Sequence, residues 1–510
     1  MFEKLLKVIA IGVATMSAFA SVDALAQLQP TTNVHTHPQL QPTTNVAVTS
    51  ELNAGGQINV AAARLRRPVS DALRHAHVGI FVMHPYSSYQ DNALCNGLAQ
   101  RGFTVLCADS VFTGRPDDYY GYEQHAPGIR AGIKYLRGIA ASPSLPAVTR
   151  VLLLGHSMGA PMMAFYENVA ENGAAVACQG AEKILPCVDT NLHGLPRADG
   201  VMLFDPHLGD GLATFTYVDP ALGMSTTECV DRKRQYDMFD AANGYVSDPG
   251  GLDDNSAAYG KQFRKTFLVH QANRNEALMK EALRLLAERR RVTGNPNDMG
   301  DEIPFNVPGA NGARLWQPDT ALMRSTQRPH MLLARDGTRP ITTIHSVRPP
   351  SGNLAAASCE ESTLSVNVHV WLGAKALRAT PGLYDQTEND ITGVDYASSA
   401  TSTVAGARGI GTRPADGQST TPLLIIANTG HYFLRPAEIV YDNAISTDKT
   451  VAYSEGAVHG GGPCAQCTRI LLSDPSLPTA AANAYWTDPA GNGPLERSLD
   501  FMAEWLSARF

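Results

Sequence analysis

The chain predicts an α/β fold class, a mostly parallel sheet flanked by helices, and three observations carry that expectation. Short, nearly continuous apolar runs at 77–83, 103–108, 151–154 and 200–204 alternate with segments of helical spacing, as in parallel strands buried on both faces and joined by helices. The run Val151-Leu152-Leu153-Leu154 leads directly into Gly155-His156-Ser157-Met158-Gly159 and then into the small, apolar start of a helix, Ala160-Pro161-Met162-Met163-Ala164. Two further apolar runs, at 422–427 and 450–453, return much later, followed by an amphipathic segment at 499–509.

Taken in order, the chain opens with Lys4 and Lys7 ahead of an apolar stretch at 8–20 and a small-x-small site, Ala24-Leu25-Ala26. Residues 1–26 therefore read as a cleavable signal peptide, too short and wrongly flanked for a membrane span. The mature chain is expected to be secreted or periplasmic. Residues 27–50 read as a flexible linker, because Gln-Leu-Gln-Pro-Thr-Thr-Asn-Val occurs at 27–34 and again at 39–46 with little to bury. His35 and His37 lie between the copies, where an exposed linker accounts for them better than a metal does.

The first part of the core is expected over 51–205. It takes an early strand at 57–66, a buried strand at 77–83, a helix at 92–101 stopped by Gly102, and a strand at 103–108. Ile129, Ile133, Leu136 and Ile139 then fall at helical spacing within 126–141. The strand leading to Ser157, its helix, and a strand at 200–204 ending at Asp205 complete this part. The stretch 206–421 far exceeds an ordinary connection between consecutive strands, so it reads as an inserted lid or cap domain. Within it, 276–291 predicts a helix with a solvated arginine end before Gly294, 364–372 alternates like a strand, and 395–417 has loop composition. Residues 422–510 form the second part of the core.

Composition agrees with a globular enzyme: 44% hydrophobic, 17% charged, net charge -7. That balance gives no basic surface for nucleic acid, and after residue 26 no apolar run is long enough for a transmembrane segment. All eight cysteines lie beyond the signal peptide, an even number in an oxidising compartment. Cys178 with Cys187 would close a short loop and Cys464 with Cys467 a tighter one. Cys95 with Cys107 and Cys229 with Cys359 would then be left, although connectivity stays open at this level. Cys464-Ala465-Gln466-Cys467 also has the spacing of a zinc half-site, but no second Cys/His pair matches it, which favours a structural disulfide.

A strand that ends in Gly-x-Ser-x-Gly and turns into a helix reads as a nucleophile elbow. The serine must stand on a tight turn, clear of the backbone. Flanking glycines let strand and helix approach, and the helix N-terminus aims N–H groups at charge that develops during acyl transfer. The element order resembles the α/β-hydrolase superfamily across 57–205 and 422–510, with a large insertion between core strands 6 and 7. Within it, the chain is similar to the platelet-activating-factor acetylhydrolase type of secreted esterase. Three segments carry that likeness: Met83-His84-Pro85-Tyr86, Met202-Leu203-Phe204-Asp205-Pro206, and the stretch from Ile426 to Pro436 around Asn428-Thr429-Gly430-His431-Tyr432.

Ser157 as nucleophile needs a base, and the base needs a carboxylate to hold its tautomer. The superfamily places the histidine after the last strand, and His459 follows the run at 450–453. The loop after 422–427 has no carboxylate, so Asp205 is the expected acid, at the position the acetylhydrolase-like enzymes use; Asp210, Glu438 and Glu455 are the alternatives. The oxyanion hole is expected from the backbone N–H groups of Met158 and Tyr86, because Pro85 has none to donate. His84 is assigned no chemistry beyond orienting its loop, and His431 lines the pocket or supports the site. The expected function is secreted serine hydrolysis of a carboxylic ester, small or lipid-like, through an acyl-enzyme on Ser157 without cofactor or metal. A lipase, polyester hydrolase or lactonase is an alternative within that chemistry, and a non-catalytic binding or surface protein outside it. The ester itself and the oligomeric state are not legible.

Overall fold

Alternate residues of the apolar runs face opposite sides of one sheet, and both sides are covered. The computed structural model describes residues 40–69, 75–222, 232–248, 251–252, 254–312, 314–350, 362–387, 389–414 and 417–510. The signal peptide, the first copy of the repeat, His35, His37, Cys229 and Cys359 lie outside these residues.

The central sheet has ten strands: β1 (Thr43–Ala47), β2 (Val60–Pro68), β3 (Val78–His84), β4 (Thr104–Ser110), β5 (Arg150–His156), β6 (Gly200–Phe204), β7 (Ser325–Leu333), β8 (Ile341–His345), β9 (Leu423–Asn428) and β10 (Lys449–Ser454). Their order across the sheet is β1-β2-β4-β3-β5-β6-β9-β10-β7-β8. Pairing is parallel from β4 through β7, and antiparallel for β1 on β2, β2 on β4 and β8 on β7.

The helices that matter here are α1 (Ala93–Gln100), α2 (Ala126–Arg137), α3 (Gly159–Asn172), α4 (Asp210–Tyr217), α5 (Lys261–Thr293), α6 (Leu434–Asn443) and α7 (Pro494–Ser507). Ile80, Val82, Val105, Leu152 and Leu154 pack toward Leu94 and Leu98 of α1 and Leu499, Met502 and Trp505 of α7. Their neighbours Phe81, Met83, Leu106 and Leu153 face the other way, toward Ile129 and Ile133 of α2 and Met162 and Phe165 of α3. With both faces buried, these strands need no polar alternation. The architecture is an α/β fold with a large, mostly parallel central sheet flanked by helices.

Five expectations need correction. The second copy of the repeat is not a free linker, for Thr43–Ala47 pairs along β2 as an edge strand. The insertion is not confined to a cap, since β7 and β8 come from within 206–421 and extend the sheet beyond β10. The helix expected at 276–291 begins at Lys261. Its first half buries Gln271, Arg274 and Asn275, which donate to the carbonyls of Thr216, Val218, Asp219, Pro308 and Leu377; that polar buried face hides the helical period. The strand expected at 364–372 stops at Asn367, whose side chain caps a helical turn by accepting from Val370 N–H. Residues 395–417 likewise hold a short helix, Thr403–Ala407.

Cys95–Cys107, Cys178–Cys187 and Cys464–Cys467 are disulfides, so the last pair is no zinc half-site. Three disulfides among the described residues fit an oxidising compartment. No helix among the described residues is long and apolar enough to cross a membrane.

Candidate active site

The turn between β5 and α3 leaves Ser157 in the left-handed region at φ 56. That conformation is costly for a residue with a Cβ, and the turn holds it with hydrogen bonds on either side. Ser157 N–H donates to Phe204 C=O, and Ser157 C=O accepts from Ala160 N–H. The glycines of the motif are required by contact. A Cβ on Gly155 would stand 2.3 Å from Gly159 O, and one on Gly159 would stand 2.8 Å from Met83 O.

Residues distant in sequence converge on this turn. His459 Nε2 lies 2.7 Å from Ser157 Oγ, and His459 Nδ1 lies 2.6 Å from Asp205 Oδ2. With Nδ1–H donating to the carboxylate, Nε2 is left to accept the serine proton. Asp205 is fully buried at the end of β6, also at positive φ. Its Oδ1 accepts from Asn428 N–H at 3.1 Å. Burial pushes this carboxyl up, but His431 and His459 together hold it well below the usual carboxylate range. His431 Nδ1 lies 2.7 Å from the same Oδ2, without the alignment of a hydrogen bond.

The other carboxylates considered from sequence are engaged elsewhere. Asp210 meets Tyr119 and Lys375, Glu438 meets His330 and Arg435, and Glu455 accepts from Arg335 N–H. Met158 stands at the amino end of α3, where N–H groups have no acceptor within the helix. Tyr86 lines the same cavity. Its N–H makes a long contact, 3.3 Å, to His84 Nδ1, which accepts more closely from Ser87 N–H at 2.9 Å. His84 therefore orients its loop, and Tyr86 N–H would have to yield that long contact to serve an oxyanion.

Two residues that hold the site were missed in the sequence. His156, the variable residue before the serine, donates from Nε2 to His459 C=O at 2.9 Å and meets the Tyr89 hydroxyl through Nδ1. Asn428 Nδ2 donates to Val458 C=O and His459 C=O at 2.8 and 3.2 Å. Both clamp the backbone of the His459 loop. The only available signal was position, since each ends a strand on the same edge as Ser157. Asp205, His431 and His459 are also of metal-ligating type and lie close together, but both ring nitrogens of His459 are engaged, one by the Asp205 carboxylate and one by Ser157.

A cavity of about 350 Å³ opens over Ser157 and His459. It is lined by Tyr86, Met158, Tyr432 and Phe433 together with Tyr217, Arg314 and Lys375 of the insertion.

Buried histidines surround this centre. Burial pushes His125, His156 and His207 down to about 3 and His431 down to about 4. Each folded-state value lies below the ~6.5 of an unfolded chain, so the stability they lend is whole above that pH. It is lost as pH falls, because the unfolded chain takes up protons that the folded chain refuses. Each costs about 1.4 kcal/mol per unit below that point. Glu123, which burial raises to about 7, and Glu167, raised well above its usual range, work the other way and offset part of the loss. The melting temperature is therefore expected to drop between pH 6.5 and 5, with net proton uptake on unfolding. Circular-dichroism melts at half-unit steps check this, and a flat profile would contradict it.

No family model matches the chain, and no curated protein matches it. Among solved structures, it is similar to a hypothetical protein from Pseudomonas aeruginosa (12% identity, TM-score 0.36, covering 94% of this chain and 99% of that one). It is also similar to DcsB, solved in complex with its substrate analogue (11% identity, TM-score 0.36, covering 92% and 99%). An inhibited esterase B from Lactobacillus rhamnosis aligns over 34% of this chain and 53% of its own, at 17% identity and TM-score 0.24. Likenesses at this level carry no argument about function.

Proposed function

We propose that the protein is a serine hydrolase of carboxylic esters on an α/β-hydrolase core, exported through its N-terminal signal peptide. The observation that carries this reading is the chain of hydrogen bonds from Ser157 through His459 to Asp205, with Ser157 and His459 lining a cavity. Ser157 Oγ attacks the ester carbonyl carbon as its proton passes to His459 Nε2. The tetrahedral oxyanion is met by Met158 N–H and a donor from the Tyr86 loop. On collapse the C–O bond breaks, and the leaving alcohol takes the proton from His459, leaving an acyl group on Ser157. Water then attacks that acyl group with the same proton relay, releasing the acid and restoring the serine. Asp205 remains ionised throughout and stabilises the imidazolium.

The test is fluorophosphonate labelling of the purified mature protein, with the adduct located by peptide mass spectrometry. A single adduct on Ser157 is expected. No adduct on folded, disulfide-intact protein, with and without detergent, would overturn the reading.

A further inference from the structure

Arg314 is a buried cation with no carboxylate partner among the described residues. It comes from the insertion, is 4% exposed, and lines the cavity that holds Ser157 and His459. Its guanidinium carbon lies 4.0 Å from the ring centre of Tyr217 and 5.5 Å from that of Tyr432. Both rings lie against the group, and the Tyr432 hydroxyl is within its reach. A guanidinium has five N–H donors, and Arg314 Nε spends one on Thr216 Oγ1 at 3.0 Å. Nη1 is buried with no hydrogen-bond partner, and no carboxylate pairs with Arg314 among the described residues. Arg101 meets Glu496 and Asp500 and Arg435 meets Glu438. Arg348 donates from Nη2 to three carbonyls and also keeps Nε and Nη1 without partners, but it is not among the residues lining the cavity, whereas Arg314 is.

The remaining charged groups facing the cavity satisfy one another. Lys375 Nζ lies 3.3 Å from both Asp117 and Asp210, and Asp210 also accepts from the Tyr119 hydroxyl at 2.8 Å. His207 and His431, the nearest titratable rings, are held neutral by burial first and by Arg314 in addition. Among the described residues, then, the two carboxylates lining the cavity are both held on Lys375 and neither pairs with the guanidinium. Burying an unpaired charge is strongly unfavourable, and a guanidinium presents a fork suited to a two-oxygen anion.

We propose that Arg314 receives a carboxylate on the substrate, so that the ester cleaved at Ser157 belongs to a molecule with a free acid group, such as the hemiester of a dicarboxylic acid. The anion site is argued from Arg314 alone, whereas its coupling to ester cleavage rests on the serine-hydrolase reading.

The experiment compares 4-nitrophenyl hemiesters of succinic, glutaric and adipic acid with neutral 4-nitrophenyl butanoate and pentanoate. Wild type is expected to favour at least one hemiester by tenfold or more in kcat/KM. Arg314→Gln should lower the hemiester-to-neutral ratio by roughly 10- to 100-fold, the scale of a hydrogen bond to a charged group, and Arg314→Lys should keep part of the preference. An equal preference in wild type, or an equal loss on both ester classes in the variants, overturns the proposal and leaves ester hydrolysis standing. In a second arm, the folded Ser157→Ala protein is melted with glutarate or with glutaramide, with and without Arg314→Gln. A rise in melting temperature with glutarate alone, abolished by Arg314→Gln, supports the anion site even if no ester is turned over. No such rise, together with no hemiester preference, refutes it.

Discussion

Ser157→Ala is expected to lower kcat for any ester the protein cleaves by ~10⁶, the scale of removing the nucleophile from a serine triad. The loss is so large because the Oγ bonded to His459 Nε2 is the atom acylated in the proposed mechanism. Without it, water must attack directly, aided only by the oxyanion donors and by binding. The variant should fold, since the strain at φ 56 is inherited by alanine and the hydrogen bonds that fix the turn belong to the backbone. Steady-state rates on 4-nitrophenyl esters, with active sites titrated, measure the effect. A loss under a hundredfold would place the nucleophile elsewhere.

Asp205→Asn is expected to lower kcat by roughly 10⁴, as loss of the tautomer-fixing carboxylate does in other triads. The amide that replaces the carboxylate has one oxygen for two imidazoles, since His431 and His459 both meet Oδ2. An amide nitrogen turned toward His459 Nδ1 would force the proton to Nε2, where it cannot accept from Ser157. If this variant hydrolysed esters normally while Ser157→Ala did not, the acid would be another group and the serine mechanism would survive. Near-UV circular dichroism separates that outcome from loss of the fold.

What the sequence disclosed follows from where the physics is local. Val151 to Leu154 is buried on both faces, so its strand needs no context, and the glycines at 155 and 159 answer contacts made within one turn. Asp205 and His459 were legible because each follows an apolar strand on the edge that carries Ser157. The strand β7 was not legible, because Gln327, Arg328 and Pro329 are exposed at a register shift and erase its alternation. Asn367 turned an alternating segment into a helical cap. Arg314 carries no local signal at all; its meaning depends on Thr216, Tyr217 and Tyr432 from other parts of the chain. His156 was in view inside the motif, but its bond to the His459 carbonyl spans 303 positions.

The seating of β10 between β9 and β7 bears on how the chain can be made. Its neighbours are both synthesised earlier, so a nascent chain that has reached β9 must leave a gap in the sheet until β10 emerges. Until then, two rows of backbone N–H and C=O groups face the gap with nothing to pair them. A chain cut short before Lys449 would keep both rows open permanently, with Leu424 and Ile426 on one side and Met331 and Leu333 on the other. C-terminal truncation should thus yield sticky, protease-prone material rather than a weakened but folded protein, and β10 acts as the keystone on which release of a sound product depends.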